Sequence, residues 1–294
     1  MKQIVFLVIF CLFLLGRAFS APPERIVSLA PSVTEILYAI GLEDKIAGVT
    51  NFCDYPPQAK KKPKIGGMSN PSLEAIISMK PDIVVMTTDG NPKEIEERLR
   101  GLGIKTYIFK ARQLSELPQG IRDMGMALCV EEKAKTLAED IENKIKNSTL
   151  NTQHSTLKKK ALFIVWPEPL LVAGPGTAID DVIQLLGWEN IASDTGVKYP
   201  KYSVEEVIRR SPDVILIGNS MGVNTKELSK GLLKKLGMLE AIKKGSVYYT
   251  GDALYRLGPR IIEGIEEMEG YLLKGQGDNP LNPPLLRGKG KGQE

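Results

Sequence analysis

Histidine is almost absent from this chain. Its 294 residues include one, His154, inside the polar run NTQHSTLKKK. Serine–histidine triads and most zinc or manganese sites need imidazoles held in a folded pocket. His154 reads instead as a solvated side chain, so those chemistries have little to build on. Cysteine is scarce too. Of the three, Cys11 lies in an apolar N-terminal run, and Cys53 and Cys129 form no CxxC pair and no zinc spacing. Two distant cysteines make no disulfide framework, and the sequence leaves open whether they pair. The net charge is only +4, with no basic stripe interleaved with aromatics, which argues against nucleic acid as a partner. There is no GxGxxG after the first strand, no P-loop and no nucleophile elbow. GPGT at 174–177 precedes a helix, but it lacks the Lys-Ser/Thr of a phosphate loop. An exported α/β enzyme is therefore the weaker reading.

One long apolar run does exist, and it is at the start. Lys2 is followed by IVFLVIFCLFLL at 4–15, then by Ala18-Phe19-Ser20 with small residues at the −3 and −1 positions. The run is short for a membrane span and reads as a secretory signal peptide cleaved near Ser20. Bulky Ile9 and Phe10 before Cys11 argue against lipid attachment. Cleavage would remove Lys2 and Arg17, leaving 37 of 39 basic residues against 35 acidic ones. The expected product is a soluble protein in the periplasm.

Beyond this leader the pattern is a regular alternation. Short β-rich runs (RIVSLA 25–30, KIAGVT 45–50, DIVVMT 82–87, KTYIF 105–109) alternate with helical patterns. The second half repeats the order: ALFIVW 161–166, TAIDDVIQLLG 177–187, DVILIG 213–218, a charged helix at 225–236, and SVYYTG 246–251. Such alternation gives βαβ units and mostly parallel sheets. SVTEILYAI (32–40) reads as a helix with Ser32 as N-cap and Glu35 in the capping-box position. From Glu131, Ala134, Leu137, Ala138, Ile141 and Ile145 keep a helical spacing, so 121–148 reads as one long joining helix. The boundaries expected are a signal peptide at 1–20, an N-terminal lobe at 21–122, a connecting helix and flexible linker at 123–159, a C-terminal lobe at 160–274 and a disordered tail at 275–294.

One segment occurs twice. SLEAIISMKPDIVV (72–85) and SVEEVIRRSPDVIL (203–216) share Ser, Glu, Ile, Pro and Asp at the same offsets. Two lobes of the same element order imply a cleft between them, where ligands commonly bind.

A secretory leader, two α/β lobes and a long connecting helix together resemble the helical-backbone (class III) substrate-binding proteins of ABC importers, and among them the cobalamin-binding members. RIVSLAPSVTEILYAIG, CDYPPQA, LEAIISMKPDIVV and GDALYRLGPRI carry the likeness, which covers roughly 24–274. It implies two Rossmann-like lobes, a monomer, no catalysis and no cofactor, with a corrinoid or another metal chelate as ligand. It also implies that one glutamate per lobe, Glu74 and Glu205, docks on the transporter's membrane subunits. A glutamate early in a helix is also an ordinary capping feature, and Glu206 is a neighbouring candidate.

For the ligand, the resemblance points to Ser32, Phe52, Trp166, Tyr199, Asp252 and Arg256. Aromatic walls with a few hydrogen-bonding groups suit a large, amide-rimmed and mostly neutral molecule. IGGMSNP and MTTDGNP lack the tryptophans that cobalamin binders place there, although Met68 offers some apolar contact. Ferric siderophore or haem is therefore the alternative cargo. Trp166 as a packing residue, Phe52 as a loop anchor and Asp252–Arg256 as a plain i,i+4 pair remain open.

Overall fold

A computed structural model describes residues 22–152, 159–219 and 224–273. The leader, His154 and the tail after 273 lie outside the described residues.

The first sheet has four strands: β1 (Ile26–Ser28), β2 (Ile46–Val49), β3 (Ile83–Thr87) and β4 (Lys105–Phe109). Their order is β2-β1-β3-β4 and every pair is parallel. Buried Val27, Val84 and Val85 show why: both faces are covered by helices, so the strands are continuously apolar. The covering helices are α1 (Pro31–Ala39), α2 (Leu73–Ser78) and α3 (Lys93–Gly101). The second sheet has β5 (Lys160–Pro167), β6 (Leu170–Val172), β7 (Glu189–Asn190), β8 (Val214–Gly218) and β9 (Val247–Thr250). Its order is β6-β5-β8-β9, with β7 also on β5; only the β5–β6 pair is antiparallel.

The join differs from the sequence expectation. Residues 117–152 form two helices, α4 (Leu117–Ala127) and α5 (Glu131–Thr152). Cys129, at φ 59°, makes the break between them. A Cβ on Gly125 would lie 2.2 Å from that of Ala134, so the two helices touch closely there. Arg122 grips Glu142 through two bonds of 2.8 and 2.7 Å across the same pair. Helix α5 begins where the apolar spacing begins, and it continues to Thr152, into the stretch expected to be a linker. Ala134, Ala138 and Ile141 bury in a core that also holds Ile26 and Ile36 of the first lobe and Phe163 and Trp188 of the second. An apolar core continuous through both lobes resists large hinge motion. Helices α6 (Ala178–Leu185), α7 (Val204–Arg210), α8 (Thr225–Lys235), α9 (Glu240–Lys243) and α10 (Ile261–Leu273) belong to the second lobe.

The start of α1 is a second difference. The helix begins at Pro31, Ala30 is its N-cap without a side-chain bond, and Ser32 is one residue inside. Proline suits the first helical position because its missing N–H would have no partner there. Glu35 is then no capping residue; it is buried at 3% exposure.

The repeated segment folds the same way twice. Ser72 and Ser203 each cap a helix, accepting from Ala75 N–H at 3.1 Å and Glu206 N–H at 3.2 Å. Lys80 and Ser211, at equivalent places, both stop their helix in the left-handed region (φ 47° and 49°). Asp82 accepts the backbone N–H of Arg25 at 2.9 Å, just before β1. Asp213 accepts that of Lys160 at 2.8 Å, at the head of β5. The shared serine and aspartate are thus structural. The shared glutamate ties neither helix to its sheet: Glu74 and Glu205 are both exposed.

Candidate ligand cleft and docking face

In both sheets the carboxyl ends of the parallel strands carry the loops that meet between the lobes, where open α/β sheets bind ligands. The main tie across this meeting is ionic. Arg256, in the turn after β9, donates to Glu35 Oε1 of α1 at 2.7 Å and to Asp54 Oδ1 of the β2 loop at 2.7 Å. Its own-lobe partner Asp252 stands 3.1 Å away, so the plain i,i+4 pair exists but is one contact of several. Arg260 adds a bond of 2.8 Å to Asp252 and stacks 4.1 Å from the ring centre of Tyr55. Burial pushes the Glu35 carboxyl above its ordinary range, against the pull of Arg256 and Arg260. Burial opposes charge on Asp252 as well, but its bond to Arg260 and the charge of Arg256 hold it below its ordinary value. A Cβ on Gly218 would fall 1.7 Å from the Tyr255 hydroxyl, so glycine at the end of β8 lets this turn seat against the sheet.

The other predicted positions lie around this clamp. Ser32 is half-buried, and its carbonyl faces Gly258 of the second lobe, 3.4 Å from where a Cβ there would stand. Phe52, two residues before Asp54, is 45% exposed, and Tyr199 is 48% exposed on the facing lobe. Lys198, beside Tyr199, crosses to Asp89 in the β3 loop at 2.8 Å. Trp166 is half-buried at the end of β5 and donates its Nε1–H to the Glu168 carbonyl at 2.8 Å. Phe52 and Tyr199 thus leave free aromatic surface on opposite lobes, while Trp166 is partly committed to its own turn. Met68 rests over Gly90, where a Cβ would come within 2.0 Å of its methyl.

Sequence reasoning missed Glu35, Asp54 and Arg260 as members of the clamp. The signal was an acidic residue in the middle of an apolar helix, SVTEILYAI, which a buried countercharge explains. GPGT is no phosphate cradle. Thr177 caps α6, accepting from Asp180 N–H at 3.1 Å, and Asp180 and Asp181 occupy the first turn, where they repel a phosphate. Cys53 and Cys129 are unbridged, and Cys53 Sγ lies 3.1 Å from both the Thr34 and Thr50 hydroxyls. Among the described residues no group of three His, Cys, Asp or Glu could hold a metal, and no helix is long and apolar enough to cross a membrane.

On the outer face, Glu206 is drawn down to about 2 by hydrogen bonds from Arg209 and Arg210. Glu205 is held below its ordinary range by its own backbone N–H and by Ser203. Of the two, Glu206 is consumed by arginines of its own helix, and Glu205 is the one that corresponds to Glu74. Another shared side chain, Ile77, is 41% exposed one turn beyond Glu74, and Ile208 is its counterpart.

Residues 26–254 match the model of the family described as periplasmic binding protein. The chain belongs to the periplasmic binding protein family. The Vitamin B12-binding protein of Pectobacterium carotovorum is 33% identical over 208 residues, 70% of this chain and 75% of that one. Among solved structures, periplasmic Vitamin B12 binding protein BtuF of Vibrio cholerae superposes with a TM-score of 0.76 at 28% identity, over 86% of this chain and 97% of its own. Periplasmic heme-binding protein RhuT from Roseiflexus matches equally in fold, with a TM-score of 0.76 at 30% identity, over 84% and 97%. Both the two-lobed architecture and the non-catalytic role of a periplasmic binding protein follow from this membership.

Proposed function

We propose that this periplasmic binding protein serves an ABC importer, capturing cobalamin or a related corrinoid between its lobes and delivering it to the membrane subunits. The observation that carries the cargo is the state of Arg256. Its guanidinium already faces three carboxylates, those of Glu35, Asp54 and Asp252. It therefore has little left for an anionic cargo, while Phe52 and Tyr199 offer exposed aromatic faces to a large neutral one. Ser32, Trp166, Asp252 and Arg256 complete the ligand-facing set. The likeness to Vitamin B12-binding proteins supports this choice.

Ferric siderophore or haem in the same transport role is the second reading. It is favoured by the likeness to RhuT and by Arg112, which donates to Thr88 at 3.2 Å on the β3–β4 side and gives an anionic cargo a cation.

Delivery uses the exposed glutamates. A carboxylate received by an arginine pocket makes a directional contact, and two lobes offering one each suit two membrane subunits. Glu74 and Glu205 fill that role. The leader directs the chain to the periplasm and is removed near Ser20, and the mature protein acts as a monomer. The core shared by the lobes limits their motion, so the transporter opens the cleft.

The test is titration of residues 21–274 with cyanocobalamin, following tryptophan fluorescence. Trp166 reports from the cleft edge and Trp188 from the core. Saturable quenching at one ligand per chain supports the reading; a flat trace moves the cargo to the second reading.

A further inference from the structure

Ionic ties cross between the lobes at opposite edges of the cleft. Arg256 follows β9 and reaches Asp54 after β2, and both are edge strands of their sheets. Lys198 reaches Asp89 at 2.8 Å on the other side. Asp89 follows β3, which lies next to the opposite edge strand, β4. Lys198 leads into Lys201, which bridges to Leu171 of the edge strand β6.

The two ties differ in environment. The Arg256 and Glu35 side chains are 12% and 1% exposed, whereas those of Lys198 and Asp89 are 43% and 54% exposed. Breaking a buried pair is costly, but an exposed pair contributes little and is screened by salt. The Arg256 tie therefore stays made, while Lys198 and Asp89 can part and meet again at little cost. Their loops are braced. Asn91 donates to the Leu29 and Met68 carbonyls, both at 2.9 Å, and accepts from Thr87 N–H at 2.8 Å. Gly174 N–H donates to the Lys198 carbonyl at 2.8 Å. A Cβ on Gly174 would fall 2.2 Å from the Val197 carbonyl oxygen, so glycine lets this loop sit against the end of β6. With both loops held and the lobes joined by one core, parting is a side-chain event.

We propose that Lys198 and Asp89 form a latch across the β6–β3 edge of the cleft mouth. It is closed between cargoes, and the two side chains release each other when a cargo enters or leaves. This rests on the reading that the cleft receives the cargo. Tyr199 adjoins Lys198, and Trp166 pairs with Leu171, the residue that bridges to Lys201. Two of the aromatics proposed to face the cargo thus stand on the latch's side of the cleft.

Trp166 gives a readout that needs no cargo, so it decides the latch independently of the cargo reading. The probe is acrylamide, an uncharged quencher, added to the chain without its leader. Trp188 is 5% exposed and contributes little. Lys198→Met and Asp89→Asn should each raise the open fraction, and with it the quenching of Trp166, by roughly 1.5- to fivefold, the shift that an exposed ion pair supplies. The double variant should match either single one, because both changes break the same link. Sodium chloride should raise quenching in the parent toward the level of the variants and leave the variants unchanged. Thermal unfolding of all three variants should stay near that of the parent, which separates an open mouth from a loosened fold. Quenching equal to the parent in both single variants, effects that add in the double variant, or a salt response shared by all forms would each overturn the proposal.

Discussion

Arg256 Nη1 donates to Glu35 Oε1 at 2.7 Å, and this bond joins the two lobes at a point where both side chains are largely withdrawn from water. Removing the cation leaves Glu35 buried beside Asp252 with only Arg260, 3.6 Å away, to balance it. Arg256→Ala should therefore destabilise the fold by about 3 kcal/mol, the usual cost of leaving one member of a buried pair alone. Urea unfolding at neutral pH measures it. A loss near zero would mean that the clamp is solvated and not a lobe-joining contact.

The same carboxylate sets a pH signature. Burial raises the Glu35 value above its ordinary 4.5 in the folded state. The folded protein then holds this proton more tightly than the unfolded chain. Its contribution to stability is complete below the ordinary value and is lost as pH rises through the folded-state value. Glu35→Gln cannot titrate. The stability of the variant relative to the parent should therefore increase from pH 4 to pH 7, as read from paired urea midpoints. A relative decrease over that interval would show that Arg256 outweighs burial at this site.

On the proposed docking face, Glu74→Ala with Glu205→Ala should abolish transporter-dependent uptake and leave cargo affinity within a few-fold. Glu206→Ala should leave uptake near the parent level, because that side chain already serves Arg209 and Arg210. Uptake that survives the double change would remove the docking role from this pair.

Phe52 and Tyr199, proposed to face the cargo, are exposed, so truncating either should hardly alter stability. Each change to Ala should weaken cargo binding by about tenfold, the scale of one lost aromatic contact with its buried area. Calorimetry gives the affinity and thermal unfolding gives the control. Unaltered affinity in both variants would leave them as loop residues only.

Much of the fold was legible in the sequence because it is periodic. Alternating apolar runs marked the parallel strands of both sheets, and the repeat marked the two lobes. The spacing from Ala134 to Ile145 marked helix α5. Elements without a period were not legible. Strand β6 is three residues long and exists because it pairs antiparallel with β5 after a tight turn. The break at Cys129 is a local backbone reversal inside a stretch that looks continuously helical. The clamp was half visible: Asp252 and Arg256 lie four residues apart, but Glu35 is 221 residues from the arginine it neutralises. Only the fold places them together.

The proposed cobalamin cargo rests on a buried arginine that already faces three carboxylates. The most direct test is a side-by-side calorimetric titration of residues 21–274 with cyanocobalamin and with haemin. One cyanocobalamin per chain is expected, with haemin at least roughly tenfold weaker. Haemin binding as tightly as cyanocobalamin or tighter would contradict a cleft built for a neutral cargo.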